Sequence, residues 1–142
     1  MCIRDRAITT PLTFCATANC ILYQGATPVF ADVSADTLNL DPNEVSQKIN
    51  SRTKAIIAVD YAGHPAALAE MAELSRPQGA VLIEDACHAL GAEYRGKRIG
   101  GIADMTVFSF HPVKHLSLIH IYAARLPAAT AGGFQPRRVE TA

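Results

Sequence analysis

Short runs of apolar, often β-branched residues alternate along the chain with longer stretches whose apolar residues recur at helical spacing. The runs predict five strands, and two of them, AIIAVD and AVLIED, are apolar almost throughout. Strands that are covered on both faces have this pattern. The predicted strands occupy residues 8–10, 28–33, 53–60, 80–85 and 105–110, and the predicted helices occupy residues 16–24, 42–49 and 66–76.

This alternation of strands and helices predicts an α/β fold, with a mostly parallel mixed sheet flanked by helices. In the third helix, Leu68, Met71, Ala72 and Ser75 share one face, which we expect to pack on the sheet. Asp41 precedes Pro42, as an N-cap precedes a first-turn proline. The segment EYRGKRIG, residues 93–100, predicts a surface hairpin with its turn at Gly96 and Lys97.

The two ends of the chain are predicted to lie outside this fold. A DNA sequence that encodes LSLIHI, residues 116–121, has a reverse complement that encodes the opening MCIRDR. A transposon-derived sequencing adapter would leave such an inverted repeat at the two ends. The residues that follow have two prolines and no periodicity. We therefore expect residues 1–6 to be adapter-derived, residues 7–115 to be the folded segment, and residues 116–142 to be adapter-derived and unrelated or disordered. The alternative is a genuine flexible tail.

Composition narrows the class of protein. The chain has 142 residues, of which 49% are hydrophobic, which suits one soluble domain. Residues 7–115 carry eight Lys and Arg against eleven Asp and Glu, a balance of minus three, which argues against nucleic-acid binding. The four cysteines form no CxxC pair, so we expect reduced thiols. No apolar run of membrane-spanning length occurs, and we expect a cytoplasmic protein with no membrane partner.

Polar residues end three of the predicted strands. Ligands of parallel α/β sheets bind beyond the carboxyl ends of the strands, so these residues are the candidates for chemistry. They are Asp60, Tyr61 and His64 after the third strand; Glu84, Asp85 and His88 at the fourth; and Ser109, His111, Lys114 and His115 at the fifth.

Asp85 and Lys114 together indicate imine chemistry. A carboxylate at the end of a buried strand needs a cation or strong donors, and a desolvated lysine becomes a usable amine nucleophile. Pyridoxal phosphate uses both groups, a lysine for covalent attachment and a carboxylate for its ring nitrogen. From spacing alone, Asp85 can equally be a cap or an ion-pair partner, and Lys114 can be a solvated lysine.

A metal site is the second chemical possibility. His111 and His115 have the spacing of two ligands on one helix, but Pro112 lies between them and breaks a regular helix. We therefore predict no metal.

Four stretches carry a family resemblance: TTPLTFCATANCILYQGATPVFADV, TKAIIAVDYAGHPA, LIEDACHALGAEYRGKRIGG and VFSFHPVKH. In order and spacing they resemble the DegT/StrS family of sugar-nucleotide aminotransferases, over residues 7–115. The resemblance implies a partial large domain of a fold type I pyridoxal-phosphate-dependent transferase. It also implies a sugar-nucleotide substrate, an amino acid donor such as glutamate, and a homodimer in the full-length family.

The resemblance implies a role for each matching residue. Lys114 matches the lysine that carries pyridoxal phosphate and shuttles the substrate proton, and Asp85 matches the carboxylate that pairs with the ring nitrogen. His88 matches a position near the phenolic oxygen, although a cap of the following turn is the alternative. Ser109 matches a hydroxyl that binds the phosphate. Phe14 matches the aromatic that stacks on the ring, with a plain core phenylalanine as the alternative.

Two competing hypotheses remain. Related sugar dehydratases share the fold but have histidine where the aminotransferases have lysine, so Lys114 argues against them. The other hypothesis is a non-catalytic or metal-binding α/β domain that uses His88, His111 and His115. Because the resemblance implies a family chain of more than twice this length, we expect this chain alone to be inactive and poorly soluble.

Overall fold

A five-stranded sheet with the spatial order β2-β1-β3-β4-β7 forms the centre of the computed structural model, which describes residues 5–114. All four strand pairings in this sheet are parallel. The strands are β1 (Arg6–Thr9), β2 (Thr27–Phe30), β3 (Thr53–Val59), β4 (Val81–Asp85) and β7 (Met105–Val107). The predicted α/β class is confirmed, and the sheet is parallel throughout.

Within residues 5–114, three α-helices connect the strands: α1 (Ala16–Tyr23), α2 (Pro42–Lys48) and α3 (Leu68–Ser75). The predicted N-cap is confirmed, since the Asp41 side chain accepts a hydrogen bond from the Asn43 N–H. Single 3₁₀ turns follow β3 and α3, at Tyr61–Gly63 and Arg76–Gln78. Every predicted strand and helix is present, with ends that differ by up to three residues.

Two boundaries differ for a physical reason. The predicted strand 28–33 ends at Phe30, because the chain leaves β1 there and Val33 instead forms an isolated antiparallel bridge with Leu40. Arg6, in the segment that is predicted to be adapter-derived, is the first residue of β1 and pairs with Thr27 and Thr53. The adapter origin of residues 1–6 stays a prediction.

Helices α2 and α3 cover one side of the sheet, which we call the closed face. The fully buried side chains on this side include Ile8, Ile56 and Leu82 from the strands and Leu68 and Met71 from α3. The predicted apolar face of α3 is therefore confirmed. Burial of this apolar surface is the main source of stability in the fold.

Helix α1 covers only part of the other side, which we call the open face. Ala7, Ile21, Ala26 and Ile57 form a small buried cluster there. Helix α1 does not extend over β7, where Met105 and Val107 are 59% and 50% exposed. The two faces of one sheet thus differ sharply in how much of their apolar surface is buried.

A two-stranded antiparallel hairpin, β5 (Glu93–Tyr94) and β6 (Lys97–Arg98), connects β4 to β7. Its turn was predicted at Gly96 and Lys97, and this was wrong by one residue. Arg95 and Gly96 occupy the turn with positive φ angles of 51° and 75°, and Lys97 pairs with Tyr94. A two-residue turn that fits the strand twist needs positive φ at both central positions.

The described part of the chain divides into two units, the first ending at Ser109 and the second beginning at Phe110. The sheet, the three helices and the hairpin belong to the first unit. The predicted tail, residues 116–142, lies outside the described residues. None of the helices in residues 5–114 has both the length and the apolar character needed to cross a membrane.

Candidate active site

The carboxyl ends of the strands carry the polar residues that the sequence singled out. The strand order reverses at β1, with β2 on one side and β3 on the other. In parallel α/β sheets this reversal opens a crevice at the carboxyl edge, where ligands bind. β3 is followed by Asp60, and β4 ends in Glu84 and Asp85.

Asp85 is held in place by two donors. Its Oδ2 accepts a hydrogen bond from the Thr17 hydroxyl at 3.1 Å, and its Oδ1 accepts one from the Cys87 N–H at 3.3 Å. Thr17 lies in the first turn of α1, on the open face, and is buried. Because Asp85 is only half-buried and each carboxylate oxygen has two lone pairs, the carboxylate can accept a further donor.

Asp60 and Glu84 are fully buried, whereas Asp85 is only half-buried. The Asp60 Oδ1 accepts a hydrogen bond from the Ala66 N–H at 2.8 Å, and the Glu84 Oε2 accepts one from the Thr106 hydroxyl at 2.7 Å. Burial away from water, together with the carboxyls of Glu84 and Asp85, raises the pKa of Asp60 to about 7. Asp60 therefore belongs to the interior and not to the accessible edge.

The loop after β3 is tied to two other segments. The Asn39 side chain accepts from the Tyr61 N–H at 2.9 Å and donates to the carbonyls of His64 and Pro65. Gly63 adopts a φ of +86°, and a Cβ there would lie 2.9 Å from the carbonyl oxygen of His88. Only glycine allows the loops after β3 and β4 to approach so closely.

His88, Ser109 and Phe14 lie around the same edge of the first unit. His88 is half-buried in the turn that follows β4, where the Ala89 N–H bonds to the Ala86 carbonyl. Ser109 is half-buried two residues beyond the end of β7. Phe14 is 78% exposed immediately before α1, so it is not a core phenylalanine within the described residues.

Lys114 belongs to the second unit. Its N–H donates to the carbonyl of His111 at 2.8 Å, which closes a turn over residues 111–114, and its side chain is half-buried. His115 lies outside the described residues. Within residues 5–114, no three His, Cys, Asp or Glu side chains are grouped in a way that could hold a metal ion.

Sequence reasoning missed Thr17, Asn39 and Thr106, which hold the strand-end residues in place. The one pattern that could have pointed to Thr17 is its spacing of four residues from Thr13 at the start of α1. The two hydroxyl oxygens are 2.9 Å apart. Nothing in the sequence connects Thr17 to a residue 68 positions later.

Comparisons with known proteins agree on one family. The profile of the DegT/DnrJ/EryC1/StrS aminotransferase family matches residues 3–119. A UDP-4-amino-4,6-dideoxy-N-acetyl-beta-L-altrosamine transaminase of Helicobacter pylori is 44% identical over 114 residues, which are 80% of this chain and 30% of that protein.

Two solved structures show the same fold. PseC of Helicobacter pylori, an aminotransferase involved in the biosynthesis of pseudoaminic acid, superposes with a TM-score of 0.77 at 43% identity, over 80% of this chain and 30% of that one. A sugar aminotransferase of Streptococcus pneumoniae, in its PLP form, gives a TM-score of 0.76 at 34% identity, over 80% and 33% of the two chains. The chain thus spans about 30% of the length of the relatives it matches.

Proposed function

The chain belongs to the DegT/DnrJ/EryC1/StrS aminotransferase family, and from this premise we propose that it is part of a longer pyridoxal-phosphate-dependent aminotransferase. We call that longer protein the parent protein. The parent protein transfers an amino group from an amino acid, glutamate, to a 4-keto-6-deoxy sugar nucleotide. The chain alone, which spans about 30% of its relatives, is inactive.

The observation that carries this proposal is the position of Asp85 and its hydrogen bonding. Its carboxylate stands at the carboxyl end of a central strand, is fixed by Thr17 and Cys87, and keeps lone pairs for one more donor. The protonated ring nitrogen of pyridoxal phosphate is a donor of the required kind. The residues present therefore fit the cofactor, which when bound supplies an electron sink for the carbon that loses its proton.

The other assignments are proposed from the family resemblance of the motifs. Lys114 attaches the cofactor and moves the proton at the substrate carbon, and Ser109 donates to the phosphate. His88 donates near the phenolic oxygen. Phe14 stacks on the ring, and its 78% exposure supports this assignment because the aromatic face is available to a ligand.

The sugar specificity is proposed from the relatives. The altrosamine transaminase and PseC, both similar to this chain over 80% of its length, point to nucleotide-sugar biosynthesis for surface glycans such as pseudaminic acid. The family resemblance further supports a cytoplasmic homodimer.

Reduction with borohydride after addition of pyridoxal phosphate tests the proposal in the parent protein, whose gene is recovered with the flanking DNA. We expect a stable adduct on the peptide that contains Lys114, and none in Lys114→Ala. Lys54→Ala is the matched control, because Lys54 is exposed at the amino end of β3 and should not affect the adduct. An adduct confined to other lysines, with none on Lys114, would refute the assignment.

The same experiment separates the competing functions. A sugar dehydratase of this fold would bind the cofactor without a lysine adduct. A metal-binding domain would retain zinc and give no adduct. Glutamate-dependent amination of a 4-keto sugar nucleotide by the parent protein, and its absence in the 142-residue chain, tests the reaction itself.

A further inference from the structure

Two acidic side chains outside the proposed site are buried next to each other. Glu84 lies on β4 opposite Ala58 of β3, and Asp60 follows the end of β3. Both residues have no exposed surface. The Asp60 N–H donates to the backbone carbonyl of Asp85 at 3.0 Å, so the pair is connected through the backbone to the residue whose carboxylate is proposed to bind the cofactor.

One oxygen of each carboxyl accepts a hydrogen bond from a nearby donor. Asp60 Oδ1 accepts from the Ala66 N–H, and Glu84 Oε2 accepts from the Thr106 hydroxyl and, at 3.3 Å, from the Gly100 N–H. The other oxygens, Asp60 Oδ2 and Glu84 Oε1, are buried, and no donor among residues 5–114 reaches them. Glu84 lies opposite Ala58, which is two residues before Asp60, so the two side chains point to the same side of neighbouring strands. A hydrogen bond with Glu84 is accordingly one of the causes that raise the pKa of Asp60.

No cation neutralises this pair within the described part of the chain. The ion pairs there, Lys48 with Glu44 and Arg95 with Glu70, are elsewhere. Two ionised carboxylates in contact would repel each other, and each would also lose its hydration. One proton between them removes the repulsion and gives both orphan oxygens a hydrogen bond.

We propose that Asp60 and Glu84 share one proton, and that the resulting hydrogen bond joins the ends of β3 and β4 and so positions Asp85. Asp60 and Glu84 are positioning residues in this proposal, since neither faces the cofactor. The positioning of Asp85 for a cofactor rests on the proposed function, whereas the shared proton does not.

The neighbouring elements supply few charges that could compete. Tyr61 and His64 follow Asp60, and α3 carries Glu70 and Glu73. Asp85 and His88 lie on and after β4, and Arg98 and Asp104 lie on the segment that leads into β7. Among the charged groups that act on the pKa of Asp60, Glu84 and Asp85 both raise it. The surroundings therefore favour retention of the proton.

The proton makes stability depend on pH with a definite sign. The pKa of Asp60 is raised in the fold from 3.8 to about 7. A raised carboxyl pKa contributes stability that is fully present below the unfolded pKa and is lost as pH rises through the folded one. The free energy of unfolding should therefore fall from about pH 4 to about pH 7 through this pair.

The test compares the parent protein with Asp60→Asn, whose amide can donate to Glu84 but cannot titrate. We expect Asp60→Asn to fold, and the fall in stability between about pH 4 and about pH 7 to become shallower than in the unmodified protein. Asp60→Ala should lose both the hydrogen bond and the pH dependence. Asp36→Asn, at an exposed residue, is the matched control and should leave the pH dependence unchanged.

Two further readouts complete the test. Infrared spectra near neutral pH should contain the carbonyl band of a buried protonated carboxyl, and Asp60→Asn should lose it. The dissociation constant for pyridoxal phosphate should rise less between about pH 5 and about pH 8 in Asp60→Asn than in the unmodified protein. The reason is that the hydrogen bond between residue 60 and Glu84 no longer depends on a proton that is lost in this range.

The outcomes distinguish the two proposals. An unchanged pH dependence in Asp60→Asn, together with no protonated-carboxyl band in the unmodified protein, would overturn the shared proton. A shared proton without any Lys114 adduct would leave this pair intact as a structural feature and overturn the proposed function. A pH-dependent cofactor affinity that is identical in both proteins would show that the pair does not position Asp85.

Discussion

The closed and open faces of the sheet differ although the same strands form both. On the closed face, α2 and α3 bury large side chains such as Met71 and Leu82 almost completely. On the open face, α1 leaves Met105 and Val107 about half exposed. The closed face therefore provides most of the stability, and the open face provides the accessible edge on which the proposed chemistry depends.

Glu84 and Asp85 show the same contrast at the level of two adjacent residues. Successive side chains of a strand point to opposite faces, so Glu84 enters the closed face and Asp85 the open one. Glu84 is fully buried beside Asp60, whereas Asp85 is half-buried and held by α1. Two neighbouring carboxyl groups thus have separate surroundings because of the period of the strand.

The largest expected effect concerns the open face. Asp85→Asn in the parent protein should lower turnover at least about 100-fold, because a neutral amide cannot hold the ring nitrogen protonated. The free energy of unfolding should change by no more than about 1 kcal/mol, because the amide oxygen still accepts a hydrogen bond. Steady-state kinetics and urea unfolding measure the two quantities. Full turnover in Asp85→Asn would remove Asp85 from the proposed site.

The same substitution on each face tests the difference in stability directly. Met71→Ala should cost about 2–5 kcal/mol, since Met71 is fully buried and its removal leaves a cavity. Met105→Ala, at a residue that is 59% exposed, should cost less than about 1 kcal/mol. Urea unfolding of the dilute 142-residue chain measures both. Equal costs would contradict the distinction between the closed and open faces.

The smallest effect concerns the link between the loops after β3 and β4. Gly63→Ala combines a left-handed backbone with a Cβ 2.9 Å from the His88 carbonyl oxygen, and should cost about 2–3 kcal/mol. Gly91→Ala is the matched control, because Gly91 has a φ of +87° but no atom within 4 Å of the added Cβ. It should cost about 1 kcal/mol. If unfolding by urea gives the same cost for both, the contact between the loops contributes nothing.

Element types could be predicted from the sequence because they depend on local patterns. The apolar runs of β3 and β4 and the helical face of α3 gave the right elements. Boundaries were less accurate where tertiary contacts decide, as at the end of β2 and in the hairpin turn. The turn was placed one residue late because a single glycine does not reveal which neighbour also adopts positive φ.

Strand-end residues could be found in the sequence, but their surroundings could not. Asp60, Glu84 and Asp85 were all recognisable as polar residues that end apolar runs. Their different burial follows from the helices that cover each face, and the partners Thr17, Asn39 and Thr106 come from distant segments.

The sequence by itself determined the alternation of strands and helices, the family, and which carboxylates stand at the strand ends. Those features depend on the local periodicity of apolar residues and on short motifs. The tertiary structure alone decided that Asp85 is held by α1 on an accessible face, and that Asp60 and Glu84 meet in the interior. The reason is physical, because burial and hydrogen bonding depend on which distant segments the fold brings together.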